Sequence, residues 1–224
     1  MADQSVCDLI LNGKFDELKK KINQNRDLIN KTDESGRLPL HWAVSQGHEE
    51  ITDYLLDLGT SVDARDQSGW TPLMIAVSAG RSKIVNSLIH HCAQVNAVNH
   101  NGQCSLHYAA SKNRYEITEC LLNNNCDPDT ADWMGSTPLH RAASKGHIKI
   151  VQLLLRFQAQ IDSADKEGNT PLHLACEEER GDVAHLLVQN GASLSLLNKE
   201  EKSPLDLAPP KLGRNLKNLS ERRI

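Results

Sequence analysis

The stretch DKEGNTPLHLA, residues 165–175, decides the fold because its pattern, DxxGxTPLHxA, returns along the chain every 33 residues. One glycine marks each copy of a turn, and one leucine marks each copy of the segment that follows it. The glycines are Gly36, Gly69, Gly102, Gly135 and Gly168. The leucines are Leu40, Leu73, Leu106, Leu139, Leu172 and Leu205. A unit of this length cannot bury its apolar face alone, so the copies must stack on one another.

This period, with its TPLHxA core, is the signature of ankyrin repeats, so the sequence predicts an all-α repeat solenoid. We expect one domain, 1–224, of seven repeats, each a helix-turn-helix with a β-turn finger, and terminal repeats that act as caps. The predicted boundaries are a cap at 1–32, repeats at 33–65, 66–98, 99–131, 132–164 and 165–197, and a C-terminal repeat at 198–224. Such arrays present one extended concave surface. We therefore expect the chain to bind something large and to catalyse nothing.

Repeat 165–197 follows the pattern most fully and allows its elements to be predicted. Gly168 supplies the positive φ of a tight turn, Thr170 caps a helix, and Pro171 takes the first helical position. The first helix is predicted to run from Pro171 to about Glu178. The second is predicted to end at Gly191, in a left-handed C-terminal conformation.

Other repeats depart from the pattern. The departures are Leu38 in place of the capping Thr, Met74 in place of His, Cys104-Ser105 in place of Thr-Pro, and Cys92 and Gln158 in place of a helix-ending Gly. A residue other than Gly at positive φ costs about 1 kcal/mol. The sequence therefore predicts uneven stability across the middle repeats.

Composition excludes several classes of protein. The net charge of -4 argues against a general nucleic-acid binder. No apolar run is long enough to span a membrane, and the N-terminal residues MADQSVCDLI do not resemble a secretory signal. The 6 cysteines lack CxxC spacing and favour reduced thiols, so we expect a cytoplasmic and nuclear protein.

The 10 histidines raise the question of catalysis or metal binding. Four of them, His41, His107, His140 and His173, occupy the same position of the motif, where an imidazole can bridge the turn hydroxyl and a backbone carbonyl. No GxSxG, HExxH or Gly-rich phosphate loop is present in the sequence. We expect no catalytic residue, no metal site and no cofactor.

Surface positions that the motif leaves variable carry the candidate binding residues. Few aromatics are available, with 3 Trp, 3 Tyr and 2 Phe in the whole chain. Four of them fall at predicted contact positions, namely Trp42, Trp70, Tyr108 and Trp133. They are typical of binding anchors, although padding between adjacent turns is the alternative.

Charge follows a pattern along the same predicted surface. A basic stripe consists of Arg37, Lys112, Arg141 and Lys145, and an acidic patch consists of Glu177 and Glu178. The expected partner carries acidic groups opposite the middle repeats and basic groups opposite repeat 165–197. Such complementarity mainly sets binding register and association rate.

Stretches outside the motif add a more specific likeness. They are LHWA at 40–43, AQVNAVN at 93–99, LHYAASKNR at 106–114, EGNTPLHLAC at 167–176 and NKEEK at 198–202. Together with the repeats, they resemble the gankyrin family, ankyrin-repeat assembly chaperones of the proteasome regulatory particle. The resemblance implies a monomer that holds the C-terminal helical domain of a proteasomal ATPase subunit. Arg37, Lys112 and Glu178 match charged contact positions of that family.

The resemblance also implies cell-cycle partners. An LxCxE motif, linked in that family to the retinoblastoma protein, is present as Leu174, Cys176 and Glu178. On a helix, Leu174 and Cys176 would point about 200° apart, so extended recognition would require local unfolding. Family links to cyclin-dependent kinase 4 and to a ubiquitin ligase of the p53 pathway have no discriminating residue in this chain. A regulator that inhibits a kinase, or an adaptor fragment of a larger scaffold, remain alternatives to a chaperone.

Overall fold

The computed structural model describes residues 5–221, and its helices follow the 33-residue period in pairs. These residues contain no β-strand, and none of their helices is long and apolar enough to cross a membrane. The helices fall into two compact units, residues 1–100 and 101–224. The all-α repeat class is confirmed, while the organisation as a single domain stays a prediction.

The first unit begins with a helix pair in the predicted cap. The elements are α1 Val6–Leu11, α2 Phe15–Gln24, a 3-10 helix Arg26–Asn30, α3 Pro39–Gln46, α4 Glu49–Asp57, α5 Pro72–Ala79 and α6 Ser82–His90. Asn12-Gly13, with a φ of 65° at Gly13, lies between α1 and α2. α1 packs against α3, the first helix of repeat 33–65, and α3 and α4 pack in turn against α5 and α6.

The second unit repeats the same arrangement. The elements are α7 Ser105–Ser111, α8 Tyr115–Asn123, α9 Pro138–Lys145, α10 Ile148–Arg156, α11 Pro171–Glu177, α12 Gly181–Gln189, α13 Pro204–Leu207 and α14 Pro210–Glu221. First helices stack in the order α7, α9, α11 and α13, and second helices stack in the order α8, α10, α12 and α14. The last of them, α14, has 12 residues and buries Leu216.

Left-handed backbone conformations recur at the same three positions of a repeat. One is the finger glycine, one joins the two helices, and one follows the second helix. Cys92 and Gln158 take the third position, with φ values of 63° and 62°, as predicted. The same conformation is found at four further residues where other repeats have glycine, with φ values between 55° and 61°: Asn113, Asn125, Glu179 and Glu201.

Candidate functional site

The four motif histidines are buried and connect their repeats to the fingers that follow. His140 accepts at Nδ1 from the Thr137 backbone N–H (3.1 Å) and hydroxyl (2.9 Å), and its Nε2 donates to the Asn169 carbonyl at 3.0 Å. An imidazole that accepts and donates in this way is neutral, and burial lowers the pKa of His140. A bond from Nε2 to a carbonyl of the next repeat is also present at His41, His107 and His173. The predicted bridge from a turn hydroxyl to a carbonyl is present at His140 and His173. At His41 the Leu38 backbone N–H alone donates to Nδ1, and at His107 a thiol replaces the hydroxyl.

The finger aspartates use their two oxygens for different tasks. Asp132 Oδ1 accepts from the backbone N–H groups of Met134 (2.8 Å) and Ser136 (3.0 Å). Its Oδ2 accepts from Arg141 at 2.5 Å. The Oδ1 contacts recur at Asp33, Asp66 and Asp165. These aspartates shape the turns, and the second oxygens of Asp33, Asp66 and Asp132 hold side chains of Trp42, Arg37 and Arg141.

Arg37 and Arg141, two of the predicted contact residues, are paired inside the chain. Arg37 Nε lies 3.2 Å from Asp66 Oδ2, as Arg141 lies against Asp132. Burial raises the pKa of Asp132, but the Arg141 guanidinium and two backbone N–H groups outweigh that effect and lower the pKa. Both arginines therefore brace fingers, and their aspartates offset much of their charge. Their contact with a partner stays a prediction.

Lys112 and Lys145 are differently placed. They occupy equivalent positions at the ends of α7 and α9, which pack on each other, and both are exposed. Neither forms an ion pair with any residue between 5 and 221. Glu178 takes the third equivalent position, after α11, with Arg180 at 3.5 Å, and Glu177 ends that helix. We call Lys112, Lys145, Glu177 and Glu178 the charged edge, because its sign reverses along the second unit.

Trp133 is the most exposed of the predicted aromatic anchors. It is 64% exposed, and its neighbour Met134 is 57% exposed. The backbone beneath them is fixed, because the Trp133 N–H donates to the Asn101 carbonyl and the Met134 carbonyl accepts from Lys166, at 3.0 and 2.8 Å. We call these two side chains the apolar fingertip. Met134 is not among the predicted contact residues, and its position next to Trp133 in the sequence is the signal that could have identified it.

The other three predicted aromatics are half-buried. Trp42 Nε1 donates to Asp33 Oδ2 at 2.8 Å, and the Tyr108 hydroxyl donates to Gln103 Oε1 at 2.7 Å. Trp70 is also half-buried. Trp42 and Tyr108 are thus each hydrogen-bonded to the finger of their own repeat, and their role as anchors or as padding between turns stays a prediction.

Comparison with known proteins agrees with the repeat geometry. A model of ankyrin repeats matches the chain in three copies, at residues 4–99, 61–132 and 106–198. The chain belongs to the ankyrin-repeat family. Within residues 5–221 of this ankyrin-repeat protein, no group of three or more His, Cys, Asp or Glu side chains could hold a metal ion. The fold is that of a protein-interaction scaffold.

The most informative relatives share one name. The rat 26S proteasome non-ATPase regulatory subunit 10 is 52% identical over 60 residues, which is 27% of this chain and 26% of the rat protein. The human protein of the same name is 51% identical over 58 residues, 26% of each chain. The match thus spans about a quarter of these relatives. The gankyrin likeness expected from the sequence is confirmed over that stretch.

Two solved ankyrin-repeat structures are similar over nearly the whole chain. The ankyrin repeat domain of Bcl-3, from the IkappaB protein family, has a TM-score of 0.87 at 24% identity and covers 97% of this chain and 99% of its own. The human ASB11 ankyrin repeat domain has a TM-score of 0.83 at 29% identity, with 97% and 98% covered. These likenesses support the fold.

The LxCxE residues of this ankyrin-repeat protein lie on α11 and its C-terminal cap. Leu174 is half-buried and Cys176 is fully buried, while Glu178 is exposed just beyond the helix. Burial raises the pKa of the Cys176 thiol to about 12. The motif is therefore helical, and its central side chain is inaccessible in this fold, as the helical spacing predicts.

Proposed function

We propose that this protein is a non-catalytic chaperone for assembly of the 26S proteasome regulatory particle, and that it holds the C-terminal domain of one proteasomal ATPase subunit. The observation that carries the proposal is the 51–52% identity to proteins named 26S proteasome non-ATPase regulatory subunit 10. A stacked-helix scaffold with an exposed, variable face suits such a role. The free cysteines support an action in the reducing cytoplasm and nucleus.

The surface of the second unit supports a partner of defined chemistry. Lys112 and Lys145 would meet acidic side chains, and Glu177 and Glu178 would meet basic ones. The apolar fingertip adds Trp133, a residue type that dominates interface hot spots. A helical domain with an acidic region opposite the two lysines and a basic region opposite the two glutamates fits this combination.

The test is a charge reversal on the charged edge. We expect Lys112→Glu combined with Lys145→Glu to weaken capture of recombinant ATPase C-terminal domains by about tenfold or more, since two attractive contacts become repulsive. Both lysines are exposed and form no ion pair with the described residues 5–221, so circular dichroism and Tm should not change. Arg37 is unsuitable for this purpose, because its reversal would set two carboxylates together at Asp66.

The matched control reverses Lys149 and Lys211, exposed lysines on the second helices α10 and α14. It makes the same change in net charge, and binding should be retained. Equal binding by the edge variant and the wild type would contradict the proposal, as would equal weakening by the control.

The cell-cycle alternative requires other contacts. Binding of the retinoblastoma protein through LxCxE would require α11 to unfold, because Cys176 is 0% exposed. No described residue favours cyclin-dependent kinase 4 or a p53-pathway ubiquitin ligase over the ATPase domain. These partners are tested by the same capture experiment, with the edge variant and its control.

A further inference from the structure

Repeat 99–131 differs from its neighbours at two positions that touch each other. The first is the residue that caps the first helix, and the second is a small residue just after the second helix. The capping residues elsewhere are Leu38, Thr71, Thr137, Thr170 and Ser203. The equivalent small residues are Thr60, Ala93, Ala159 and Ala192. Repeat 99–131 has Cys104 at the first position and Cys126 at the second, so a cap and its neighbour are replaced together by two thiols.

The two thiols form a buried chain of hydrogen bonds with a histidine. Cys104 is fully buried, and its Sγ lies 3.1 Å from His107 Nδ1. The Cys104 backbone N–H also donates to Nδ1 at 3.1 Å, and Nε2 donates to the Ser136 carbonyl at 2.9 Å. Nδ1 is therefore an acceptor, and the Cys104 thiol donates to it. Cys126, 4% exposed, shares a side-chain hydrogen bond with Cys104.

We propose that Cys104 and Cys126 form an oxidation site for small hydroperoxides, at which the two thiols close a disulfide within repeat 99–131. The pairing places a second thiol beside the sulfur that would react first, which is the arrangement of redox-sensing cysteines with a resolving partner.

The environments assign different roles to the two sulfurs. The hydrogen bond from Cys126, helped by His107, lowers the pKa of the Cys104 thiol. The same hydrogen bond, together with burial, raises the pKa of Cys126. Since the thiolate is the reactive form, Cys104 is the attacking sulfur and Cys126 is the resolving one.

The reaction balances with one hydroperoxide. The Cys104 thiolate, its proton passed to His107, attacks the peroxide O–O bond, forms sulfenic acid and releases hydroxide, which takes that proton to become water. Cys126 Sγ then attacks Cys104 Sγ and displaces the hydroxyl group, which leaves as a second water with the Cys126 proton. Two thiols and one hydrogen peroxide yield one disulfide and two waters. The peroxide is reduced by the two electrons that the sulfurs lose.

Burial sets the rate of this chemistry. Both sulfurs are covered, so peroxide reaches them only when the repeat opens locally. The exposed Cys92 would react first and join chains together. Cys92→Gly removes that thiol at a position with a φ of 63°, which glycine adopts without strain. This variant is the background for the test.

The experiment treats the folded Cys92→Gly protein with hydrogen peroxide and measures intact mass and the non-reduced peptide map. We expect a loss of about 2 Da, for two hydrogens, and a linked peptide pair that contains Cys104 and Cys126. Adding Cys104→Thr or Cys126→Ala, the residues of the other repeats, should abolish the link. Adding Cys176→Ala, another buried cysteine, should leave it intact.

Three outcomes would overturn the proposal. They are sulfinic acid at Cys104 without a linked peptide, a link that survives in the Cys126→Ala variant through another cysteine, or no reaction of the folded protein. Reversal of the 2 Da loss by dithiothreitol, with recovery of both free thiols, would support it.

Discussion

Repeats 99–131 and 132–164 build the same two helices from different residues. In the second, Thr137 and Pro138 begin α9, and Gly146 follows it with a φ of 75°. In the first, Cys104 precedes α7, Ser105 takes the position of the proline, and Asn113 adopts the left-handed conformation at 56°. The backbone geometry is retained in both. The fold therefore requires a particular backbone conformation at each position. Several residue types can adopt that conformation, at different costs in the free energy of unfolding.

The histidine position shows how local chemistry changes while the role remains. His140 and His107 both donate from Nε2 to a carbonyl of the next repeat, at 3.0 and 2.9 Å. The partner at Nδ1 differs, being the Thr137 hydroxyl in one and the Cys104 thiol in the other. Burial lowers the pKa of His140, whereas at His107 burial is outweighed by the Cys104 contact and the pKa is raised. One scaffold position thus has two opposite acid-base characters.

The largest expected effect comes from removing these imidazoles. His140→Ala leaves the Thr137 N–H and the Asn169 carbonyl without their partner, at a cost of about 3 kcal/mol in the free energy of unfolding. His107→Ala should cost about 1 kcal/mol less. The Cys104 thiol is a weaker hydrogen-bond donor than the Thr137 hydroxyl, so removal of its imidazole partner costs less free energy. Urea unfolding of both variants measures the difference. Equal losses would mean that the capping residue contributes nothing to the bridge.

The next largest difference between the two repeats is expected in how their histidines change the stability on acidification. His140 has a lowered pKa in the folded protein, so below about pH 6.5 the unfolded chain binds the proton more readily. The free energy of unfolding therefore decreases as the pH is lowered. His107 has a raised pKa, so its contribution is fully present below about pH 6.5 and is lost as pH rises through the folded value.

The measurement is Tm between about pH 7.5 and about pH 5.5 for the wild type and the single variants His140→Asn and His107→Asn. Removing His140 should flatten the loss of Tm on acidification, and removing His107 should steepen it. The same slope in both variants would refute the opposite signs. His185, which is half-buried on a second helix, provides a control substitution, His185→Asn.

Much of this scaffold could be predicted from sequence, because each requirement lies within a short stretch. The cap at Thr170 and the start of the helix at Pro171 are present as predicted, and that helix ends at Glu177, one residue earlier than expected. The left-handed conformations at Cys92 and Gln158 were predicted from the glycine of other repeats. Because the same short pattern recurs every 33 residues, it predicts the backbone conformation at each equivalent position.

The side-chain pairings could not be predicted, because they depend on how successive fingers stack. Arg37 reaches Asp66, 29 residues away, so a position predicted to face a partner is largely occupied within the chain. The Cys104–Cys126 contact likewise joins two departures from the motif that are far apart in sequence. Sequence comparison of repeats shows that both residues are unusual, but only the packed helices bring them together.

The smallest expected effect tests the cost of left-handed residues directly. Asn125 and Gln158 are equivalent, exposed and have φ values of 61° and 62°. Asparagine tolerates this region better than glutamine, so Gln158→Gly should raise the free energy of unfolding by about 0.5–1 kcal/mol. Asn125→Gly should raise it by less than about 0.5 kcal/mol, since less strain is relieved and the unfolded chain gains freedom. The reverse change, Gly191→Gln, should lower the free energy of unfolding by about 1 kcal/mol, which is the cost of placing a residue other than glycine in the left-handed region. Equal gains in repeats 99–131 and 132–164 would show that residue type at this position is immaterial, and the unevenness between the repeats would then have to come from their caps.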